Sequence, residues 1–290
     1  MSTTPEQLAA LPIRSRIRPV QWLSYGIGIY LVLVLVQLFV FNDNWRWRVV
    51  GSYLFNPRVL EGLLHTIQLT IVTAILGLFL GILTACCRLS SLKVLRTFAV
   101  TYIWVMRSMP PLVLILLIYF LAALVPTLSI GLPFGPSLVD ISTNDVITRF
   151  SAAVIGLAVY LGAYTGEIFR GGVMSLPSGQ FEACHTLGIP PLRAYQKILG
   201  PQLVRVITPS LANEVITTFK NTSLVTVIGY AELLTTVQTI YAKNFQTIPL
   251  LTVAVIWYLV LTSIAMFGQH RLERRFGRGF TRQSPGGSAK

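Results

Sequence analysis

Six stretches of this chain are long and apolar enough to cross a bilayer, and short polar segments separate them. A spanning helix needs about 20 mostly apolar residues. Trp22 to Phe41, Leu63 to Cys87, Thr97 to Val125, Val146 to Phe169, Pro209 to Ile228 and Ile248 to Phe267 fit that pattern. The third is too long for one straight helix, and Pro110 and Pro111 interrupt its hydrogen-bond ladder. The fifth is the weakest, because Glu214 and Lys220 lie inside it. No long linker or repeated half divides the chain. The pattern predicts an all-α integral membrane protein. A cytoplasmic segment at 1–21 leads into an extra N-terminal span at 22–41. A five-span domain at 60–268 and a basic tail at 269–290 follow.

The segment between the fourth and fifth spans is polar but structured. Gly179-Gln180-Phe181-Glu182-Ala183-Cys184-His185-Thr186-Leu187-Gly188 continues through Ile189-Pro190-Pro191-Leu192-Arg193 to Ile198-Leu199-Gly200-Pro201. It reads as two short helices hinged at Gly188 to Pro191. Ser178 is placed to cap the first helix, and Gly188 to end it in a left-handed conformation. A proline suits the first position of the second. A compact loop of this kind in a membrane protein is a docking element.

Composition agrees with the spans. The chain has 290 residues, 53% hydrophobic and only 11% charged, where a soluble domain carries about 25%. Its 23 Lys and Arg against 10 Asp and Glu give a net charge of +13. No basic groove interleaved with aromatics points to nucleic acid. The excess belongs to loops facing anionic lipid. With the N-terminus cytoplasmic, sixteen basic residues fall in inside segments and five outside. The inside set includes Arg14, Arg16, Arg18, Arg88, Arg170, Arg193 and Arg271; the outside set is Arg46, Arg48, Arg58, Arg149 and Lys243. That bias puts both termini and the 178–201 loop in the cytoplasm of a multi-pass protein. The apolar core after Arg18 is too long for a secretory signal, so it reads as a retained anchor. Cys86, Cys87 and Cys184 have neither disulfide nor metal spacing and read as ordinary small residues. The stretch from Ala122 to Thr148 holds Pro126, Pro133 and Pro136 but no Lys or Arg, and reads as an outside loop for a soluble partner.

Three further segments carry a resemblance. They are Glu61-Gly62-Leu63-Leu64-His65-Thr66-Ile67, Arg107-Ser108-Met109-Pro110-Pro111-Leu112-Val113 and Phe219-Lys220-Asn221-Thr222-Ser223-Leu224. Flanking the polar loop at these places, they resemble the permease subunits of type I ABC importers in the polar amino-acid branch, over about Leu60 to Arg275. The 178–201 loop resembles that family's EAA loop. The chain departs from the pattern at Cys184, at Ser108-Met109, and at Gly200, which replaces an apolar residue and is expected to loosen the second loop helix.

The resemblance implies a MetI-like fold in a bacterial cytoplasmic (inner) membrane, an ABC ATPase dimer, a second permease subunit and a soluble substrate-binding protein. It implies ATPase coupling through Glu182, Ala183, Gly188, Ile198 and Pro201. No GxxxxGK[ST] loop occurs, so ATP and magnesium belong to the separate ATPase, and the chain itself is not expected to be an enzyme or to hold a cofactor or metal.

Several residues keep two readings. Glu182 either anchors the loop or is a solvated carboxylate. Ala183 and Ile198 either face the ATPase or pack the loop helices together. Glu214, Lys220 and Asn221 on the fifth span, with Arg107 on the third, either line the substrate path or form a structural network in which Arg107 pairs with Glu214. By position Arg107 lies about 16 Å into the membrane, counted from Arg96. Glu167 and Arg170, one turn apart, read as a structural ion pair, and His65 as a packing histidine. The neutral Asn221 favours an acidic or uncharged polar amino acid over a basic one. The function expected is import of a polar amino acid. An ion- or proton-coupled secondary carrier is the alternative.

Overall fold

The computed structural model describes residues 19–131 and 137–276. Arg14, Arg16, Arg18, Pro133, Pro136 and the tail from Gly277 lie outside them. The described residues form helices α1 (Pro19–Val40), α2 (Trp47–Leu54), α3 (Pro57–Leu89), α4 (Lys93–Ser108), α5 (Pro111–Tyr119) and α6 (Leu121–Leu124). Strands β1 (Thr127–Gly131) and β2 (Ser137–Ser142) come next. Then follow α7 (Thr143–Val146), α8 (Arg149–Met174), α9 (Ser178–Thr186), α10 (Pro191–Ala194), α11 (Gly200–Asn221), α12 (Leu233–Asn244) and α13 (Thr247–Phe276).

Residues up to Trp47 make one unit. None of the described residues of α1 is buried within the chain. Aromatic rings gather at both its ends: Trp22 against Tyr25, and Phe39, Trp45 and Trp47 at the other. Trp45 Nε1 and Trp47 Nε1 donate to the carbonyls of Leu38 and Phe39, at 3.0 and 2.9 Å. Amphipathic rings at the two ends of an apolar helix suit the two membrane interfaces.

The second unit runs from Arg48. Three of its helices, α3, α8 and α13, are long and apolar enough to cross a membrane unbroken. Two more spans are broken. Met109 and Pro110 separate α4 from α5, with a bend of 104°. A 45° bend separates the segment ending at Ile228 from α12. The second break was not visible in the hydrophobic pattern, which ended the fifth span at Ile228 and left α12 unassigned. The stretch read as an outside loop contains β1 and β2, which pair as an antiparallel hairpin with Thr127 opposite Ser142. Hydrogen bonds from Ser129 and Ser137 hold the Asp140 carboxyl of this hairpin below its usual pKa.

The centre of the unit is the parallel crossing of α3 and α8. Gly77 and Gly81 on α3 meet Leu161 and Thr165 on α8, and Gly162 and Gly166 on α8 meet Leu80 and Thr84 on α3. Each helix thus offers two glycines four residues apart, and the other fills the notch. Thr165 Oγ1 reaches across to the Gly77 carbonyl at 3.2 Å. Lipid supplies no hydrophobic drive between helices, so close backbone approach and interhelical hydrogen bonds hold such a pair. Tyr102 of α4 donates to the Val159 carbonyl and ties the oblique helix to the same pair.

Two apolar clusters flank the crossing. Leu69, Ile115, Leu157, Val225 and Ile228 join α3, α5, α8 and the 3-10 turn at Thr222–Ile228. Val59, Leu63, Leu233, Val237, Leu250 and Val253 join α3, α12 and α13.

A side chain at Gly81 must push Thr165 and the Gly166 backbone away. Gly81→Val is therefore expected to lower stability by about 1–3 kcal/mol, as overpacking does. The near-isosteric Thr165→Val should cost only about 0.6 kcal/mol, the average for an interhelical hydrogen bond in a membrane. Thermal melting of the two variants in detergent checks the order; equal losses would contradict the close crossing.

Candidate functional site

The 178–201 loop is a small folded body. Helix α9 ends at Thr186, and Gly188 turns the chain with φ +64°. A left-handed backbone costs an L-residue about 1–2 kcal/mol, which glycine avoids. Pro191 opens α10 as expected. Ser178 does not cap α9: it is the first helical residue, Pro177 holds the cap position, and no side chain caps the helix. Leu176, Cys184, Ala194 and Leu199 form a core of their own beneath the loop, with Phe181 and Ile198 packed against it. Ile198 therefore faces inward. Glu182, Ala183, Gly188 and Pro201 are exposed, and among the described residues the Glu182 carboxylate has no hydrogen bond or ion pair. Two leucines that the loop pattern had not singled out stand beside them, Leu187 at 74% and Leu192 at 69% exposure. Together these residues make a compact knob whose surface mixes apolar leucines with the Glu182 carboxylate and the exposed Arg193 and Lys197.

The knob is continuous with the fifth span. Helix α10 passes into a π-helical turn at Tyr195–Leu199 and then directly into α11. The Gly200 N–H donates to the Tyr195 carbonyl, the wide bond of a π turn. A Cβ at position 200 would collide with that carbonyl oxygen. Gly200 does not loosen the loop, as expected from its departure from the pattern; it permits the close approach that joins knob to span.

Along α8 a polar face runs toward the same end. Tyr160, Tyr164 and Glu167 are spaced by four and three residues, so they share one side of the helix. The Tyr160 hydroxyl donates to Tyr164 at 3.0 Å. Arg107 lies over the Tyr164 ring, its Cζ 5.0 Å from the centroid. Arg170 Nε donates to both Glu167 oxygens at 3.1 and 3.0 Å, and Nη2 donates at 2.7 Å. Arg88 adds a weaker contact at 3.7 Å. Arg88, Trp104, Arg107 and Glu167 line one cleft of about 340 Å3.

The fifth-span residues divide between two sides. Glu214 is half-buried and feels the Arg107 charge, but the two form no ion pair within 4.0 Å among the described residues. Lys220 is six residues further on, about 120° round the helix, and cannot face the same neighbours. It is exposed and lines a separate cleft with Ser223, Tyr258 and Met266. Asn221 is half-buried. The network joining Glu214 to Lys220 does not form. Asn213 accepts from Gln269 Nε2 at 3.1 Å. The position of Arg107 also changes. The 104° bend makes α4 oblique to α5, and Arg107 opens onto the cleft of Arg88, the penultimate residue of α3.

One carboxylate had no sequence signal at all. Glu232 is fully buried. It caps α12, accepting from Leu234 N–H at 2.8 Å and Thr235 N–H at 2.7 Å. The hydroxyls of Thr235 and Tyr258 complete its shell, each at 2.9 Å. Beside it, Leu233 N–H donates to Thr66 Oγ1 at 3.0 Å. Glu232 thereby joins α12 to α13, and its neighbour joins α12 to α3.

The profile of the family described as "Binding-protein-dependent transport system inner membrane component" matches residues 77–278. The arginine transport system permease protein ArgU of Corynebacterium glutamicum is 35% identical over 280 residues, covering 96% of this chain and 86% of that protein. The L-cystine transport system permease protein TcyB of Bacillus subtilis is 33% identical over 225 residues, covering 77% of this chain and 88% of that protein. A solved structure titled as an amino acid ABC transporter with histidines superposes with TM-score 0.64 at 30% identity, over 78% of this chain and 97% of that chain. An inward-facing MetNI methionine ABC transporter superposes with TM-score 0.58 at 17% identity, over 76% of this chain and 96% of that chain, a likeness of fold.

Glu232→Gln keeps the shape but turns an amide N–H toward donors. It is expected to cost about 1–3 kcal/mol, the penalty of leaving buried polar groups unpaired. Tyr258→Phe removes one donor of four and should cost about 1 kcal/mol. Melting temperatures in detergent test the ranking, and a Glu232→Gln variant as stable as wild type would refute it.

Proposed function

We propose a mechanism for this chain from its family: it belongs to the binding-protein-dependent transport system inner membrane components, and it is the permease of an ABC importer for polar amino acids. In our reading a separate ATPase dimer grips the knob at 178–201, and a substrate-binding protein delivers the amino acid at the opposite, outer end. ATP binding closes the ATPases and drives the knobs, which opens the path outward; hydrolysis resets it.

The observation that carries this reading is mechanical. The knob has its own core, and from Pro191 the chain continues helically into α11. A push on Leu187, Leu192 or Glu182 therefore reaches Glu214, about 20 Å along the helix from Pro201. Glu182, Ala183, Gly188 and Pro201 form or support the ATPase contact, while Ile198 holds the knob together from within.

Charge supports a path shared with a second permease subunit. Lys220 is exposed on this chain although it lies within a broken span. An arginine or lysine facing lipid at depth costs at least about 2.5–3.5 kcal/mol. Water in a path or a partner subunit relieves that cost. Arg107 over Tyr164, with Glu214 near, then meets the substrate from one side, and Lys220 and Asn221 meet it from the other. The neutral Asn221 favours an acidic or uncharged side chain. The similar ArgU is named for arginine, so arginine belongs in the competition beside glutamate and glutamine.

Reconstitution with the ATPase and loaded binding protein tests the whole. Gly188→Trp and Leu187→Asp should abolish ATPase stimulation while the protein still inserts. Lys220→Ala should lower uptake with the complex intact. Normal transport by Gly188→Trp would sink the coupling reading.

A further inference from the structure

A second charged cleft lies at the end of the bundle away from the knob. It is built from two helix faces. Arg58, Glu61, Gly62 and His65 recur at three- and four-residue spacing along the start of α3; Thr235, Thr236, Thr239 and Lys243 do so along α12. Glu61 and Arg88, of the cleft nearer the knob, lie on the same helix about 40 Å apart. The two clefts are therefore separate places.

The two helix faces converge at the floor. A Cβ on Gly62 would lie 2.6 Å from Thr236 Oγ1, so only glycine lets α12 come this close. His65 Nδ1 is held at 2.9 Å from the Ala231 carbonyl. In the neutral ring this fixes the proton on Nδ1 and leaves Nε2 as an acceptor. Beneath, Glu232 and Thr66 lock α12 to its neighbours through the hydrogen bonds given above. The floor is thus preorganised, and a ligand need not order it.

The walls carry charge of both signs. Arg58, Glu61 and Lys243 are exposed to the cleft, and none forms an ion pair among the described residues. Its volume of about 290 Å3 is at the small end of ligand pockets, which run from about 300 to 1,000 Å3. A small zwitterion fits that space and that chemistry. Arg58 offers a planar fork to a carboxylate and Lys243 a second cation. Glu61 offers a carboxylate to an ammonium group.

We propose that this cleft is an entry site, which holds the α-carboxylate and α-ammonium groups of a free amino acid before it moves to the Arg107 and Glu214 region. The proposal rests on the transport reading and names a second station within it. Because it reads the groups every amino acid shares, the site selects weakly among side chains and leaves selection to the deeper residues.

The test uses the assembled transporter without its binding protein, and glutamine, glutamate and arginine as probes. Saturable binding of at least one probe is expected. Glu61→Gln and the double variant Arg58→Met with Lys243→Met should each weaken it by about tenfold or more, the loss of a charge-assisted contact. Glu61→Asp should restore part of it. N-acetylated and carboxamide forms of the probe should fail to compete. In binding-protein-driven uptake the same variants should raise KM and leave kcat in place. Unchanged binding in Glu61→Gln would overturn the entry site, as would binding lost only in Arg107→Met or Tyr164→Phe. So would uptake without any measurable binding of these probes. In each of those cases wild-type uptake leaves the transport reading standing. Absence of uptake for all three probes would bring down both.

Discussion

Everything in the second unit is arranged around the contact of α3 with α8. Four glycines, two on each helix, let the backbones approach until side chains of one fill the gaps of the other. In lipid this is the available source of association, because apolar side chains gain nothing by leaving lipid for protein. A tight crossing also fixes direction. With α3 and α8 held parallel, Tyr160, Tyr164 and Glu167 point away from the seam, toward α4 and α11. The polar face of α8 is thus aimed by glycines on its opposite side.

Two breaks work against that rigid pair. Pro110 and Pro111 end α4 and start α5, and the 3-10 turn with Gly229 in a left-handed conformation ends the fifth span. Irregular backbone at membrane depth survives only where protein or a water-filled cavity supplies hydrogen-bond partners. Both breaks are buried in protein, packed on α3, α5 and α8 through Leu69, Ile115, Leu157, Val225 and Ile228. Charged and amide side chains gather where the breaks leave room. Arg107 stands just before the first, and Lys220 and Asn221 just before the second.

The same economy explains Glu232. A buried carboxylate is tolerated when every lone pair is used. Here four donors from α12 and α13 converge on it. The cost of burying one charge is offset by joining a helix that would otherwise have only a short apolar face to hold it. The floor of the Glu61 cleft inherits its rigidity from that arrangement. At the other end the knob achieves rigidity differently, with a small apolar core and a glycine in the left-handed region.

Much of this chain was legible without coordinates. Hydropathy, the two prolines after Arg107 and the Gly188 to Pro191 hinge depend on local rules of transfer energy and backbone geometry, which act residue by residue. They specified a helical membrane protein, a broken third span and a structured loop. The Gly77, Gly81, Gly162 and Gly166 spacings and the Tyr160, Tyr164, Glu167 face were also written in the chain, but a spacing does not say which helix it meets. Tertiary structure decided the rest. It separated Lys220 from Glu214, because six residues of helix rotate the side chain to another neighbour. It put Arg107 on Tyr164 rather than on Glu214, and it gave Glu232 its donors from residues as distant as Tyr258. Local sequence governs what each segment can be; which charges meet depends on the packing of segments far apart in the chain.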